Sequence, residues 1–284
     1  MYAACRVPAA PVYKEPTHRS EMVNQLLFGE MVKIMEEGVR IWVKIKGIMD
    51  AYEGWVSLGQ LEPVHEAVVF PRLSPETPMV VQPFTLLKTT DSSMIIPFGS
   101  SLLGLRVPAD ASLADMKEAQ GRFGNFHYTY KPESGKKPLK ASVSDIHTIT
   151  RLWLNAPYLW GGRTLTGVDC SGFAQTVFKV MGIRIPRDAW EQALKGMAVG
   201  FLQEAKAGDL AFFDDEQGNI THVGILLNEH EIIHAAGGTG KIQVDKIDNE
   251  GIVRSDNGLR THRLRIIKRY FAYNKEQGLS MVYL

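Results

Sequence analysis

A lone cysteine, Cys170, lies among small residues in the segment Asp169-Cys170-Ser171-Gly172. The apolar residues after it recur at helical spacing as far as Met181, and the glycine that follows is typical of a helix end. The pattern predicts a helix whose first turn holds Cys170. There the unpaired backbone amides and the helix dipole favour a thiolate, as a nucleophilic cysteine requires. The alternative is a buried structural cysteine, which is the commoner use of an isolated one.

A thiol nucleophile needs a base, and the base needs a third group that orients its ring. His222 lies near the start of a predicted strand and His234 at the end of the next one. Antiparallel pairing would bring the rings together, with His222 facing the thiolate and His234 accepting from its far nitrogen. A zinc site at His230 and His234 is the competing interpretation, but this spacing suits a helix and only one cysteine is near. The remaining histidines, including His262, are interpreted as solvated or structural side chains.

Helices precede strands in the cysteine-bearing part of the chain. Ser144-Asp145 is predicted to cap a helix that ends at Ala156-Pro157, and an acidic cap at Asp188 begins a second one through about Lys195. Short predicted strands follow at 209–213, 221–227, 232–235, 241–245 and 264–270. Helices followed by strands indicate the α+β class.

The first part of the chain is predicted to be β structure. Residues 39–46 alternate between apolar and polar side chains, and glycine-rich turns follow, which indicates a small barrel over residues 1–63. Residues 64–137 give weaker signals and are interpreted as a second, diverged barrel. The polar, turn-rich stretch 132–138 is the predicted linker, so the third domain covers residues 138–284.

Charge and cysteine content restrict the function. The 284 residues include 32 basic and 31 acidic side chains, a net charge of +1, so we discount nucleic acid and an acidic membrane surface as partners. The two cysteines are interpreted as free thiols, which implies a reducing compartment. The first residues do not resemble a signal peptide and no stretch reaches transmembrane length, so we expect a cytoplasmic protein. An exported protein whose leader had been removed would look the same.

Several segments, in order, together resemble an NlpC-type papain-like cysteine peptidase domain. They are 158–162, 169–173, 208–210, 222–225 and 233–235. The segments around Tyr13, Phe28 and Trp55 resemble a bacterial SH3-like domain. Two such domains before the catalytic one are similar to the γ-D-glutamyl-L-diamino acid endopeptidases, which cut cell-wall peptides between γ-linked D-glutamate and the diamino acid. The resemblance implies a papain-like domain, with helices packed on an antiparallel sheet, preceded by two small SH3-like barrels.

The resemblance also implies roles for individual residues. Cys170 would be the nucleophile, His222 the base and His234 the orienting residue, while the Tyr158 hydroxyl would join the Cys170 amide around the oxyanion. A structural hydrogen bond is the alternative use of Tyr158. The implied substrate-binding residues are Asp188, Ser171, Asp169 and Arg187, with Glu21 and Tyr52 from the first barrel and Glu30 and Glu53 as rivals.

The expected substrate is a small murein peptide with a free N-terminal L-alanine, whose ammonium the carboxylates of Asp188 and the first barrel would bind. Asp188 also suits a helix cap. We expect a monomeric enzyme of peptide recycling, without metal or cofactor, because the thiolate does the chemistry. A secreted wall hydrolase, a wall-peptide-binding protein, or another papain-like reaction such as acyl transfer remains open. Lysine and diaminopimelate are equally compatible with these residues.

Overall fold

The computed structural model describes residues 1–65, 77–108, 116–132, 145–274 and 278–281. It divides into two compact units, Met1–Leu139 and Lys140–Leu284. Residues 133–138 of the predicted linker and the proposed cap residue Ser144 lie outside the described residues.

Seven antiparallel strands form the first sheet, in the order β3-β2-β6-β5-β4-β1-β7. They are β1 (Tyr2–Cys5), β2 (Ala9–Tyr13), β3 (Met22–Leu27), β4 (Met31–Glu37), β5 (Trp42–Gly47), β6 (Glu53–Ser57) and β7 (Leu61–Val64). Alternate side chains such as Ala10 and Val12 are buried in one core. Val39 and Ile41 are exposed and precede β5, so the predicted strand over 39–46 begins too early; a turn with Arg40 at a φ of 62° occupies that position.

A four-stranded antiparallel sheet follows in the order β10-β11-β8-β9. Its strands are β8 (Phe84–Thr89), β9 (Ser93–Pro97), β10 (Ala119–Phe123) and β11 (Phe126–Tyr130). Phe28, in the turn between β3 and β4, packs edge-on against Phe123 and Tyr128, with ring centroids 5.6 and 5.5 Å away. The two sheets therefore share a core within the unit. That the second sheet is a diverged SH3-like barrel, and that the domains divide at 63 and 137, stay predictions.

The second unit is built mainly of strands. Its main sheet has the order β14-β20-β15-β16-β17-β18-β19, and β19 also pairs with β20, so six of the strands form a closed ring. The strands are β12 (Arg163–Thr164), β13 (Gly167–Val168), β14 (Met197–Val199), β15 (Leu210–Asp214), β16 (Ile220–Leu226), β17 (Glu231–Ala236), β18 (Lys241–Asp248), β19 (Gly251–Val253), β20 (Arg260–Arg269), β21 (Phe271–Asn274) and β22 (Gly278–Met281). The pairs β12-β13 and β21-β22 are separate hairpins.

The described part of this unit contains three α-helices, α1 (Ile146–Arg151), α2 (Cys170–Val180) and α3 (Ala189–Ala193). Helix α2 begins at Cys170, which confirms the predicted helix start, and it contacts β16 and β17. Helices α1 and α3 are shorter than predicted. The expected description of helices packed on a sheet is not confirmed for the unit as a whole, since strands dominate it. Among the described residues, no helix has the length and apolar character needed to cross a bilayer.

Candidate active site

The fold places the Cys170 thiol at a capped helix start. Asp169 has extended backbone at the N-cap of α2, and its Oδ1 accepts the Gly172 N–H at 2.7 Å. An added Cβ at Gly172 would lie 2.3 Å from the Gly162 carbonyl oxygen, so glycine permits the loop to pass close to the helix. Cys170 is buried, and its sulfur faces the backbone N–H groups of Val223 and Ser171. This contact brings the thiol to the residue that follows His222.

A buried ion pair supports the same helix start. Asp169 Oδ2 lies 2.6 Å from Arg187 Nη2 and also accepts the Gly161 N–H at 2.8 Å. Ser171 Oγ accepts from Arg187 Nη1 at 2.8 Å. Asp169, Ser171 and Arg187, three of the predicted substrate-binding residues, thus bind one another. Their bonds connect the start of α2 to the loop at Gly161 and to the segment before α3 that contains Arg187. Their contact with a substrate stays a prediction.

Burial decides the ionisation of the thiol. Removal from water and the neighbouring Asp169 carboxylate raise the pKa of Cys170 to about 12, and this outweighs the opposing effects of the Val223 N–H, Arg187 and the Ser171 N–H. Burial therefore outweighs the amides of the helix start, which were expected to favour a thiolate. The thiol is protonated at neutral pH, so a base must take its proton as it attacks.

The two predicted histidines are in contact, as antiparallel pairing of their strands led us to expect. Strands β16 and β17 pair with Ile225 opposite Ile233, and His222 Nε2 lies 2.8 Å from His234 Nδ1. Both rings are buried. Gly224, two residues after His222, has no side chain to crowd His234: an added Cβ would lie only 3.0 Å from His234 Cβ.

Two residues that sequence reasoning did not select complete this cluster. Asp245 Oδ2 lies 3.0 Å from His234 Nε2, and the His262 ring stacks on His222 with a centroid distance of 4.2 Å. The only sequence signal for Asp245 was a charged residue inside a predicted strand next to that of His234. His262 carried no signal, because β20 begins at Arg260, before the strand predicted at 264–270.

Two of the clustered histidines, His222 and His262, are neutral at pH 7. Burial lowers the pKa of His222 well below its ordinary range, and the adjacent His234 and His262 lower it further. Burial, then His234, lowers the pKa of His262 to about 4, although Asp245 opposes the shift. A neutral imidazole has one lone pair, so His222 is able to accept a proton from the thiol.

Tyr158 lies on the loop that precedes the cysteine. Its backbone N–H donates to the Gly240 carbonyl at 2.7 Å, and a parallel bridge joins it to Val168. Burial, and next to it the Cys170 group, raises the pKa of the Tyr158 hydroxyl. The hydroxyl therefore remains a hydrogen-bond donor near the sulfur, as an oxyanion site requires.

Asp188 occupies the N-cap position of α3 but makes no side-chain capping bond. Helix α3 therefore begins at the predicted place, but without the predicted side-chain cap from Asp188. Asp188 is half-buried, and its role in binding an ammonium stays a prediction.

The acids of the first unit differ in their surroundings. Glu21 is exposed, 3.8 Å from Lys14, and Tyr52 is half-buried. Glu30 is buried and accepts the Leu27 N–H at 3.0 Å, a bond within its own turn. Glu53 is paired with two lysines on the same sheet, at 3.1 and 3.8 Å. Glu21 and Tyr52 remain the predicted ligands.

The alternative zinc pair is not formed. The His230 side chain is 82% exposed beside Glu229, whereas His234 is 1% exposed and both of its ring nitrogens have partners. In the part of the chain that the structure describes, no group of three His, Cys, Asp or Glu side chains could hold a metal ion.

The chain is similar in sequence to known bacterial proteins. The NlpC/P60 family matches residues 155–260, and the bacterial dipeptidyl-peptidase SH3 domain matches residues 12–61. A gamma-D-glutamyl-L-lysine dipeptidyl-peptidase of Bacillus subtilis (strain 168) is 32% identical over 230 residues, 77% of this chain and 73% of that protein. The protein of the same name from Bacillus cereus (strain ATCC 10987 / NRS 248) is 31% identical over 43% of this chain and 37% of its own length.

A solved structure agrees with the fold. The crystal structure of an NlpC/P60 family protein from Bacillus cereus ATCC 10987 superposes with a TM-score of 0.76, covering 95% of this chain and 99% of that one at 20% identity. The papain-like fold with an N-terminal SH3 domain is therefore shared along nearly the whole chain.

Proposed function

Because the chain belongs to the NlpC/P60 family of cysteine peptidases, we propose that it hydrolyses the bond between γ-D-glutamate and the diamino acid in peptidoglycan peptides. One observation carries the proposal: the buried His222–His234 pair meets the capped Cys170 helix in a chain matched, across both units, by a protein named gamma-D-glutamyl-L-lysine dipeptidyl-peptidase. The matched SH3 domain is described as that of a bacterial dipeptidyl-peptidase, which supports the same substrate class.

The residues suit a two-step hydrolysis. His222 takes the thiol proton while Cys170 sulfur attacks the γ-glutamyl carbonyl carbon and forms a C–S bond. The Cys170 amide and the Tyr158 hydroxyl stabilise the oxyanion. The C–N bond then breaks, and His222 returns the proton to the departing amine. Water, deprotonated by His222, hydrolyses the thioester and restores the thiol.

The finer part of the proposal concerns the amino end of the peptide. A free ammonium is bound best by carboxylates in an enclosed site, and Asp188, with Glu21 and Tyr52 of the first barrel, would bind it. Such a site would confine the enzyme to released tri- or tetrapeptides, as peptide recycling in the cytoplasm requires. Cys5 and Cys170 are both buried and are not joined in a disulfide, as would be expected of a protein in a reducing compartment. We also propose that the enzyme is a monomer and that its first unit contains two SH3-like barrels.

The test uses synthetic L-Ala-γ-D-Glu tripeptides that end in lysine or diaminopimelate, each with a free and an N-acetylated amine. Products are identified by mass, and Cys170→Ala is the blank. Cleavage of only the free peptides, at the γ-glutamyl bond, supports the proposal. Equal cleavage of both forms, together with release of peptides from intact sacculi, would favour a wall hydrolase. Binding without cleavage would favour a peptide-binding protein.

The amino-end site has its own variants. Glu21→Gln or Tyr52→Phe should raise KM for the free peptide and leave the alkylation rate of Cys170 unchanged. The matched control is Glu37→Gln, which changes an exposed acid at the end of β4 in the same unit and should leave KM unchanged. Unchanged KM in both test variants would exclude these ligands without affecting the proposed bond specificity.

A further inference from the structure

A polar chain extends beyond the two histidines to a buried carboxylate. His222 Nε2 lies 2.8 Å from His234 Nδ1, and His234 Nε2 lies 3.0 Å from Asp245 Oδ2. The three side chains come from the neighbouring strands β16, β17 and β18 and are 6%, 1% and 2% exposed. Water therefore has little access to compete for these bonds.

We propose that Asp245 is a positioning residue that sets the tautomers of both histidines, so that His222 presents an unprotonated Nδ1 as the base. The proposal rests on the proposed function, in which His222 takes the thiol proton. It concerns a residue that acts through His234 and does not touch the substrate.

The surroundings of Asp245 make it an acceptor only. Oδ2 accepts from Gln243 Nε2 at 2.6 Å in addition to His234, and Oδ1 accepts the Ser255 N–H at 2.9 Å. Burial raises the pKa of Asp245, but the bonds from His234, Ser255 and Gln243 outweigh it and bring the pKa to about 2. At neutral pH the carboxylate is ionised and has no proton to donate.

The orientation of Gln243 is set in turn by a hydroxyl. Thr239 Oγ1 donates to Gln243 Oε1 at 2.8 Å, which directs the amide nitrogen toward Asp245. Donors thus approach the carboxylate from His234 on β17, from Gln243 on β18 and from the Ser255 backbone. Such convergence holds the carboxylate in one place.

The acceptor role of Asp245 fixes the donor and acceptor nitrogens of His234, and these in turn fix those of His222. Because Asp245 only accepts, His234 Nε2 carries a proton, and in the neutral form of this ring Nδ1 offers its lone pair to His222. His222 Nε2 must donate to that lone pair, so its own lone pair is on Nδ1. Of the two tautomers open to a neutral His222, Asp245 thereby selects the one whose remaining nitrogen can serve as a base.

The same carboxylate matters once the proton has moved. An imidazolium at His222 would be buried, and an uncompensated buried charge is strongly disfavoured. The neutral His262 ring, whose Nδ1 contacts Thr261 Oγ1 at 2.8 Å, stacks on His222 but supplies no negative charge. Among the described residues that contact the histidine pair, Asp245 is the ionised acid, and it acts through His234.

The direct test measures the tautomers in the unmodified full-length protein. Imidazole ¹⁵N shifts and couplings are recorded on histidine-labelled protein near pH 7, and each signal is assigned by its loss in the His222→Gln or His234→Gln variant. The expected result is a proton on Nε2 and none on Nδ1 in both rings. A His234 with its proton on Nδ1 would overturn the proposal, whatever any variant does.

The functional test is Asp245→Asn. An amide has a single acceptor oxygen, so its NH₂ group must face either Ser255 N–H or the two donors at Oδ2, and the second arrangement reverses both tautomers. We expect kcat to fall about 10²-fold with KM within about twofold, since a wrong tautomer of an orienting group is costly even when geometry persists. Alkylation of Cys170 by iodoacetamide should shift to higher pH.

The control is Asp248→Asn, which removes an exposed carboxylate from the same strand, paired with Arg260, and should leave kcat and the alkylation profile unchanged. An Asp245→Asn enzyme with parental kcat and profile refutes the proposal while the function stands. If the parent hydrolyses no murein peptide, the function fails, and the ¹⁵N and alkylation measurements still decide the role of Asp245. If the variant does not fold, the ¹⁵N measurement on the parent decides alone.

Discussion

Asp169→Asn tests how the buried ion pair controls both the stability of the catalytic unit and the ionisation of its thiol. The replacement has nearly the same shape, and its remaining oxygen is able to keep the helix cap to Gly172. Its amide nitrogen, however, would replace the oxygen that accepts from Gly161 and Arg187. The Gly161 N–H and the Arg187 guanidinium would then both face the NH₂ group of the asparagine, which cannot accept their hydrogen bonds.

The expected loss of stability follows from the burial of the pair. Arg187 is 2% exposed, so removal of the carboxylate leaves its charge buried without the bond to Asp169. Removing one partner of a buried ion pair costs about 3–5 kcal/mol, and we expect the free energy of unfolding to fall by that amount. Asp256→Asn, which breaks an exposed pair with Arg254, is the control and should change it by about 0.5 kcal/mol or less.

Asp169→Asn should also lower the pKa of the Cys170 thiol. The Asp169 carboxylate raises this pKa and Arg187 lowers it, so the substitution removes a repulsion and leaves an attraction uncompensated. Burial is the largest cause and persists. The rate of iodoacetamide alkylation should therefore shift to lower pH than in the parent enzyme, without returning to that of a free cysteine.

Two measurements check these expectations. Urea unfolding followed by hydrogen exchange of the α2 peptide reports the stability of this unit alone, and mass spectrometry of the alkylated peptide against pH reports the thiol. A stability loss below about 1 kcal/mol would contradict the buried-pair argument. An alkylation profile that is unchanged or shifted to higher pH would contradict the stated effect of Asp169 on the thiol.

Three further substitutions probe the rest of the site. Tyr158→Phe should lower kcat about 10²-fold, with KM and the alkylation rate nearly unchanged, because it removes the proposed oxyanion donor; a parental kcat would exclude that role. The pKa of His262 is lowered from 6.5 to about 4, so the unfolded chain binds a proton that the folded one does not, and stability falls as pH drops through this window. His262→Phe should make that fall shallower by up to one proton, measured by urea unfolding at several pH values; an unchanged slope would refute the shift. Gly224→Ala places a Cβ 2.6 Å from Ile232 Cδ1 and 3.0 Å from His234 Cβ, and kcat should fall although circular dichroism shows a folded protein; full activity would show that the strands adjust freely.

Much of the site was predictable from local patterns. The helical spacing after Cys170 specifies where α2 begins, because period and end signals are written in neighbouring residues. The short interval between two apolar strands specifies that β16 and β17 pair, and with it the contact of His222 and His234. Asp188 shows the limit of this approach, since a favourable N-cap residue at α3 makes no capping bond.

Only the tertiary structure decided what lies around these residues. Asp245 reaches His234 through the β17-β18 pairing, and His262 reaches His222 because β20 returns to close the ring of strands. The raised pKa of Cys170 has the same kind of origin: the favourable effect of a helix start is local, whereas desolvation depends on everything packed against the thiol. The sequence by itself determined that Cys170 begins a helix and that His222 meets His234, because both follow from neighbouring residues. The closed sheet decided how deeply these side chains are buried and which groups surround them, because those contacts come from distant strands.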